Sequence, residues 1–67
     1  MIVINITPNT EKTKNFDPAV FYETTEGIFS KCKATGLVRR DDMNHENLMS
    51  HLQKMQAEGF KVEAAYI

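Results

Sequence analysis

The chain has 67 residues, of which 42% are hydrophobic and 25% are charged, and its formal net charge is −1. This length predicts one domain over residues 1–67 and leaves no room for a cofactor-binding fold beside a separate substrate domain. The single cysteine excludes an intrachain disulfide, and the charge balance excludes the strong basic field of typical nucleic-acid-binding domains.

The first predicted element is a strand over residues 2–7. Isoleucines at positions 2, 4 and 6 alternate with Val3, Asn5 and Thr7, and this period of two is typical of a half-buried strand. Pro8 ends the strand because it has no N–H to donate to a neighbouring strand. Residues 8–15 (PNTEKTKN) are polar and lack periodicity, so they predict a mobile loop.

The next stretch predicts an amphipathic helix that begins at Asp17 and ends at Gly36. Asp17 suits the N-cap, Pro18 suits the first helical position, and Gly36 suits the left-handed residue after a helix. One helical face would carry Phe21, Thr25, Ile28, Phe29 and Cys32.

A β-hairpin is the alternative for the same stretch. Its strands would cover residues 20–25 and 28–34, with the turn at Glu26-Gly27. Thr24, Thr25 and Gly27 favour this alternative because they are poor helix formers. With the helix in place, residues 37–40 would add a short third strand between the two helices.

A second helix is predicted between Asn44 and Gly59. Asn44 suits the N-cap, and Gly59 suits the left-handed position after the last turn. The apolar stripe of this helix comprises Leu48, Met49, Leu52 and Met55. Residues 61–67 (KVEAAYI) alternate again and predict a closing strand.

These elements predict an α+β fold. We expect a small single-layer sheet of two or three strands, in β-α-α-β or β-α-β-α-β order, packed on two amphipathic helices. A sheet this small is only marginally stable alone, and its exposed edges invite pairing with another chain. The sequence therefore predicts a homodimer or higher oligomer.

No catalytic, metal or cofactor site is predicted. Cys32 falls on the apolar face near the end of the first predicted helix, where a buried small hydrophobic residue is expected rather than a nucleophile. His45 and His51 are too far apart in sequence to share one helix face as zinc ligands. The chain also lacks a glycine-rich phosphate loop, so we expect no enzymatic activity.

The candidate binding residues are mostly charged residues between the two predicted helices. Arg39, Arg40, Asp41 and Asp42 form either a solvated turn or a charged recognition loop, because arginine binds carboxylate or phosphate with two hydrogen bonds. The tyrosines Tyr22 and Tyr66 are further candidate contacts. We expect a non-enzymatic regulatory protein that binds, and inhibits or sequesters, a protein or ligand partner.

A DNA-binding regulator is the alternative function. Residues 47–60 (NLMSHLQKMQAEGF) resemble the recognition helix and following strand of winged-helix regulators. The opening strand followed by two helices resembles ribbon-helix-helix repressors. The net charge of −1 disfavours nucleic acid for both resemblances.

The expected location is the cytoplasm. No stretch reaches the ~18 apolar residues that indicate a membrane span, and the N-terminus lacks the basic segment of a signal peptide. We interpret the chain as a complete small protein of a size common in bacteria and their phages.

Overall fold

Five antiparallel strands and one helix form the fold. The computed structural model describes residues 1–67. The elements are β1 (Ile2–Pro8), β2 (Ala19–Thr24), β3 (Gly27–Cys32), β4 (Gly36–Arg39), α1 (His45–Ala57) and β5 (Phe60–Tyr66). The strands form one sheet in the order β4-β3-β2-β1-β5, with every neighbouring pair antiparallel. The predicted fold of two helices on a two- or three-stranded sheet is therefore wrong.

The predicted helix over residues 17–36 is replaced by β2, β3 and the turns that follow them. The Thr24 hydroxyl closes the β2–β3 turn by accepting the Glu26 N–H at 3.1 Å and donating to the Gly27 carbonyl at 2.9 Å. Gly27 has a φ of +135°, a conformation that residues with side chains rarely adopt. The alternative hairpin around Glu26-Gly27 is what the structure contains.

The residues that suggested helix ends have other structural roles. Gly36 adopts the expected left-handed φ of +68°, but it starts β4 rather than ending a helix. The Phe16 ring, just before Asp17, packs edge-on against Phe60, with ring centroids 5.7 Å apart. Pairing of β2 with β1 satisfies its backbone hydrogen bonds, and this long-range contact outweighs the local signals.

The second predicted helix agrees with α1. Asn44 is its N-cap and accepts the Asn47 backbone N–H at 2.9 Å, while the Asn47 side chain accepts the Asn44 N–H at 2.6 Å. This reciprocal pair satisfies two donors that the helix itself leaves free. At 13 residues, α1 is the one helix of the chain, and it is neither long nor apolar enough to cross a membrane.

The hydrophobic core lies between α1 and one side of the sheet. Its buried members are Ile4, Ile6, Phe21, Ile28, Leu48 and Leu52. The isoleucine side of β1 faces this core, in agreement with the predicted half-buried strand, since Ile4 is only 1% exposed and Ile6 only 2%. Because α1 packs on this side alone, the opposite side of the sheet has no covering layer.

The segment between β1 and β2 contains one buried anchor, Thr13. Its hydroxyl accepts the N–H groups of Asn9 and Thr10, both at 3.1 Å, and donates to the Gly59 carbonyl at 3.0 Å. Thr13 is 2% exposed although its neighbours in sequence are exposed. This polar segment is therefore held against the end of α1, and its mobility stays a prediction.

Candidate binding surface

The sheet side opposite α1 forms a candidate binding surface, which we call the open face. Its side chains alternate along each strand with those that enter the core. The open face comprises Met1, Val3, Asn5, Thr7, Val20, Tyr22, Thr24, Phe29, Lys31, Leu37, Arg39, Lys61, Glu63 and Ala65. None of these residues is buried, whereas the other side supplies four buried core residues from its strands.

Strand register arranges this surface into rows that cross the sheet. One row runs from Ala65 through Val3, Tyr22 and Phe29 to Arg39, each opposite the next on the neighbouring strand. It is apolar except for the terminal arginine. The two aromatic residues therefore lie side by side near the middle of an uncovered sheet.

A shallow hollow of about 300 Å³ lies beside the aromatic pair. Its lining residues are Met1, Tyr22, Thr24, Phe29, Lys31 and Leu37. Two of the apolar residues are largely exposed, Leu37 at 63% and Met1 at 54%. Contiguous exposed apolar surface of this kind is typical of interaction sites rather than of inert protein surface.

The two cations near this hollow differ in whether an acidic residue of the chain neutralises them. The Arg39 Nε lies 3.0 Å from the Asp41 carboxylate, and its Nη2 donates to the Glu26 carbonyl at 3.1 Å. Lys31 at the rim of the hollow takes part in none of the ion pairs of the chain. Lys31 is therefore the cation of the hollow that is free to meet a carboxylate.

The predicted charged recognition loop is divided between two sides of the sheet. Arg39 belongs to the open face, whereas Arg40 lies on the α1 side, 5.9 Å from the centre of the Phe21 ring. The Arg40 guanidinium donates two hydrogen bonds of 3.2 Å to Asp42, and these bonds hold the pKa of that carboxyl below its usual range. Two separate arginine–aspartate pairs thus replace one continuous cluster.

The two candidate tyrosines are also separated. Tyr22 lies near the centre of the open face, where it meets Phe29. Tyr66 lies opposite Ile2 on the α1 side of β5 and is 84% exposed, because α1 does not reach this corner. Of the predicted binding residues, Tyr22 and Arg39 lie on the open face.

Phe29, Lys31 and Leu37 line the hollow on the open face, and none of them is among the binding residues that the sequence predicts. The sequence predicts Phe29 on the apolar face of a helix, and that helix does not form. The run of β-branched and aromatic residues from Val20 to Tyr22, followed by threonines and the Glu26-Gly27 turn, is the sequence signal that favours strands here.

A second hollow, of about 390 Å³, lies on the α1 side. Its lining includes Cys32 and Val38 from the sheet, Arg40 just after β4, and His51 and Met55 from α1. The predicted burial of Cys32 at a helix end is wrong, since this residue is half-buried at the end of β3.

The Cys32 thiol is paired with the following turn. It lies 3.0 Å from the Thr35 hydroxyl, and this bond, aided by backbone N–H groups of Ala34 and Thr35, lowers the thiol pKa. No histidine hydrogen-bonds the thiol, so the nucleophile–base arrangement of a cysteine enzyme is not formed. No group of three or more histidine, cysteine or acidic side chains is arranged to bind a metal ion.

The structure also bears on the two regulator resemblances. Winged-helix and ribbon-helix-helix proteins place a pair of helices beside the DNA-reading element, and this chain has one helix. In addition, β1 is an interior strand, paired on both sides with β2 and β5, so it is not free to enter a groove. The DNA-binding alternative therefore stays a prediction, and the helix pair on which both resemblances depended is not formed.

Comparison of the chain with protein-family models, curated proteins and solved structures finds no match. Functional inference consequently depends on the surfaces and charges of the chain itself.

Proposed function

We propose that the chain is a small non-enzymatic binding protein that inhibits or sequesters a protein partner through its open face. The observation that supports this most is the apolar row around Tyr22 and Phe29 on the sheet side that α1 leaves uncovered. Aromatic residues are enriched at the centres of protein interfaces, where they combine large contact area with few rotatable bonds.

The partner chemistry follows from the hollow and its charge. The apolar walls formed by Met1, Phe29 and Leu37 suit an apolar side chain of the partner. Lys31 at the rim suits a carboxylate beside that side chain, since no internal acid compensates it. The expected partner surface is an apolar protrusion flanked by aspartate or glutamate.

Binding through a sheet face acts by occlusion. A broad sheet face that covers part of a partner blocks that area from other molecules, and this needs no reaction at the interface. Inhibition or sequestration is therefore the mode of action that we assign to the open face. We further place the protein in the cytoplasm, where the lone Cys32 stays reduced, and expect it to work as a homodimer or higher oligomer.

The test is affinity capture from a lysate of the cells in which the chain is naturally made. We compare the wild type with a Tyr22→Ser/Phe29→Ser double variant, after circular dichroism has shown that the variant is folded. Gln53→Ser, at an exposed position of α1, is the matched control. The proposal expects a captured protein that the control retains and the double variant loses by about tenfold or more.

Two results would contradict the proposal. One is equal capture by the wild type and by the double variant, which would locate binding elsewhere on the chain. The other is a signal that disappears after nuclease treatment, which would favour the nucleic-acid alternative, because Lys31 and Arg39 flank the aromatic pair.

A further inference from the structure

Strand β5 has one edge without a neighbour. It pairs only with β1, and the sheet order β4-β3-β2-β1-β5 leaves its other side free. β5 is 7 residues long, whereas β4 at the opposite edge of the sheet has only 4 residues. A long edge strand without proline or a bulge is a template for pairing with another strand.

The ladder between β1 and β5 determines which groups face outwards. The Met1 amino group donates to the Ile67 carbonyl at 3.1 Å, and the Ile67 N–H donates to the Met1 carbonyl at 2.9 Å. Odd-numbered residues of β5 therefore direct their backbone groups at β1, and even-numbered residues direct theirs away. The outward residues are Phe60, Val62, Ala64 and Tyr66, whose backbone N–H and C=O groups have no partner in the chain.

We propose that a second copy of the chain pairs antiparallel with this edge, with Val62 on the twofold axis. Val62 then lies opposite the partner's Val62, and Phe60 lies opposite the partner's Ala64. Each such pair exchanges two backbone hydrogen bonds, so the unpaired groups of one copy satisfy those of the other. A twofold interface of this kind uses the same surface on both copies.

Charge complementarity selects this register over its neighbours. With Val62 on the axis, Lys61 lies opposite the partner's Glu63 at positions where side chains of antiparallel strands approach most closely. A shift that places Lys61 or Glu63 on the axis would oppose that residue to its own copy, and like charges directly opposite are destabilising. A shift to Ala64 would leave both charged residues facing apolar ones.

Pairing of two copies also determines how their two open faces are placed. Directly opposed residues of antiparallel strands point to the same side of the sheet, so both helices lie on one side and both open faces lie on the other. The dimer thus presents one continuous docking surface. This inference deepens the self-association in the proposed function, and it is independent of which partner the open face binds.

The experiment is light scattering of the full chain over a concentration series. The wild type is expected to approach twice the 7.7 kDa of one copy. Lys61→Glu and Glu63→Lys are each expected to weaken dimerisation by about tenfold or more, because each turns two attractive pairs into repulsive ones. An equimolar mixture of the two variants restores both attractive pairs and is expected to dimerise like the wild type.

Lys54→Glu, an equally large charge change at an exposed position of α1, is the control and is expected to leave the dimer intact. A wild type that stays monomeric at all concentrations would overturn the inference. So would a dimer that both edge variants retain, or one that only the Tyr22→Ser/Phe29→Ser variant disrupts. The first two results leave partner capture by the open face unaffected, so the two proposals fail separately, whereas the third would make the open face itself the dimer interface.

Discussion

Tyr22 and Phe29 lie directly opposite each other on β2 and β3, on the side of the sheet that α1 leaves uncovered. Phe21, the next residue along β2, points to the other side and is 4% exposed. One strand therefore carries a core aromatic and a surface aromatic in succession. The surface pair contributes little to the core, which leaves it available for a partner.

Because Phe21 is buried and Phe29 is not, replacing each by alanine is expected to lower the free energy of unfolding by different amounts. Phe21→Ala removes a buried ring and is expected to lower the free energy of unfolding by about 3–5 kcal/mol. Phe29→Ala removes a half-buried ring from the open face, so we expect less than half of that loss. Urea unfolding followed by circular dichroism measures both values. Equal losses would show that the open face is part of the stabilising core.

Substitution of Thr13 is expected to lower the free energy of unfolding, although Thr13 lies in a polar segment. Thr13→Val keeps the shape of the side chain but removes the hydroxyl that accepts from Asn9 and Thr10 and donates to Gly59. Leaving these groups unpaired is expected to cost about 1–3 kcal/mol in urea unfolding. Thr25→Val, at an exposed position outside this hydrogen-bond network, is the control and is expected to cost less. An unchanged stability for Thr13→Val would mean that the segment is not held.

Two glycines with positive φ allow conformational strain and steric contact to be separated. A Cβ added at Gly59, where φ is +106°, would lie 2.6 Å from the Thr10 hydroxyl oxygen. A Cβ added at Gly36, where φ is +68°, would meet nothing within 4 Å. Gly36→Ala is therefore expected to cost about 1 kcal/mol from the left-handed conformation alone.

Gly59→Ala is expected to cost more than Gly36→Ala, because the steric contact adds to the strain. Thermal unfolding of the two variants compares them directly. A smaller loss for Gly59→Ala would show that the segment around Thr10 moves away without cost.

The rate at which the Cys32 thiol is alkylated is expected to depend on pH. The Thr35 hydroxyl, followed by the backbone N–H groups of Thr35 and Ala34, lowers the thiol pKa. A lowered pKa increases the thiolate fraction at neutral pH, and the thiolate is the form that reacts with alkylating agents. Thr35→Ala is expected to raise the pKa, so that the iodoacetamide rate profile moves to higher pH.

The control for this measurement is Thr7→Ala, because Thr7 lies on β1 and not in the turn that bonds the thiol. The rate profile of this variant is expected to match that of the wild type. Identical profiles for Thr35→Ala and the wild type would show that the hydroxyl does not stabilise the thiolate.

The residues whose structure depends on near neighbours were predictable from the sequence. The Asn44 cap, the Leu48 and Leu52 stripe and the left-handed Gly59 define α1 through contacts within one helix. The alternating isoleucines of β1 likewise predict a buried face, and Ile4 and Ile6 occupy it.

The hairpin of β2 and β3 was not predictable with the same certainty. Asp17, Pro18 and Gly36 fit helix ends, and the apolar residues between them fit either period. Pairing of β2 with β1, which is distant in sequence, decides between the two structures. The open face follows from that pairing, because only a hairpin places Tyr22 and Phe29 together on the uncovered side.

The central claim is that the open face contacts a protein partner, and amide chemical shifts of the labelled chain test it most directly. On addition of the captured partner, we expect the largest changes at Tyr22, Phe29 and Leu37, with smaller ones along the exposed side of α1. Changes concentrated on α1, with the central strands unaffected, would contradict the account and place the binding site on the helix.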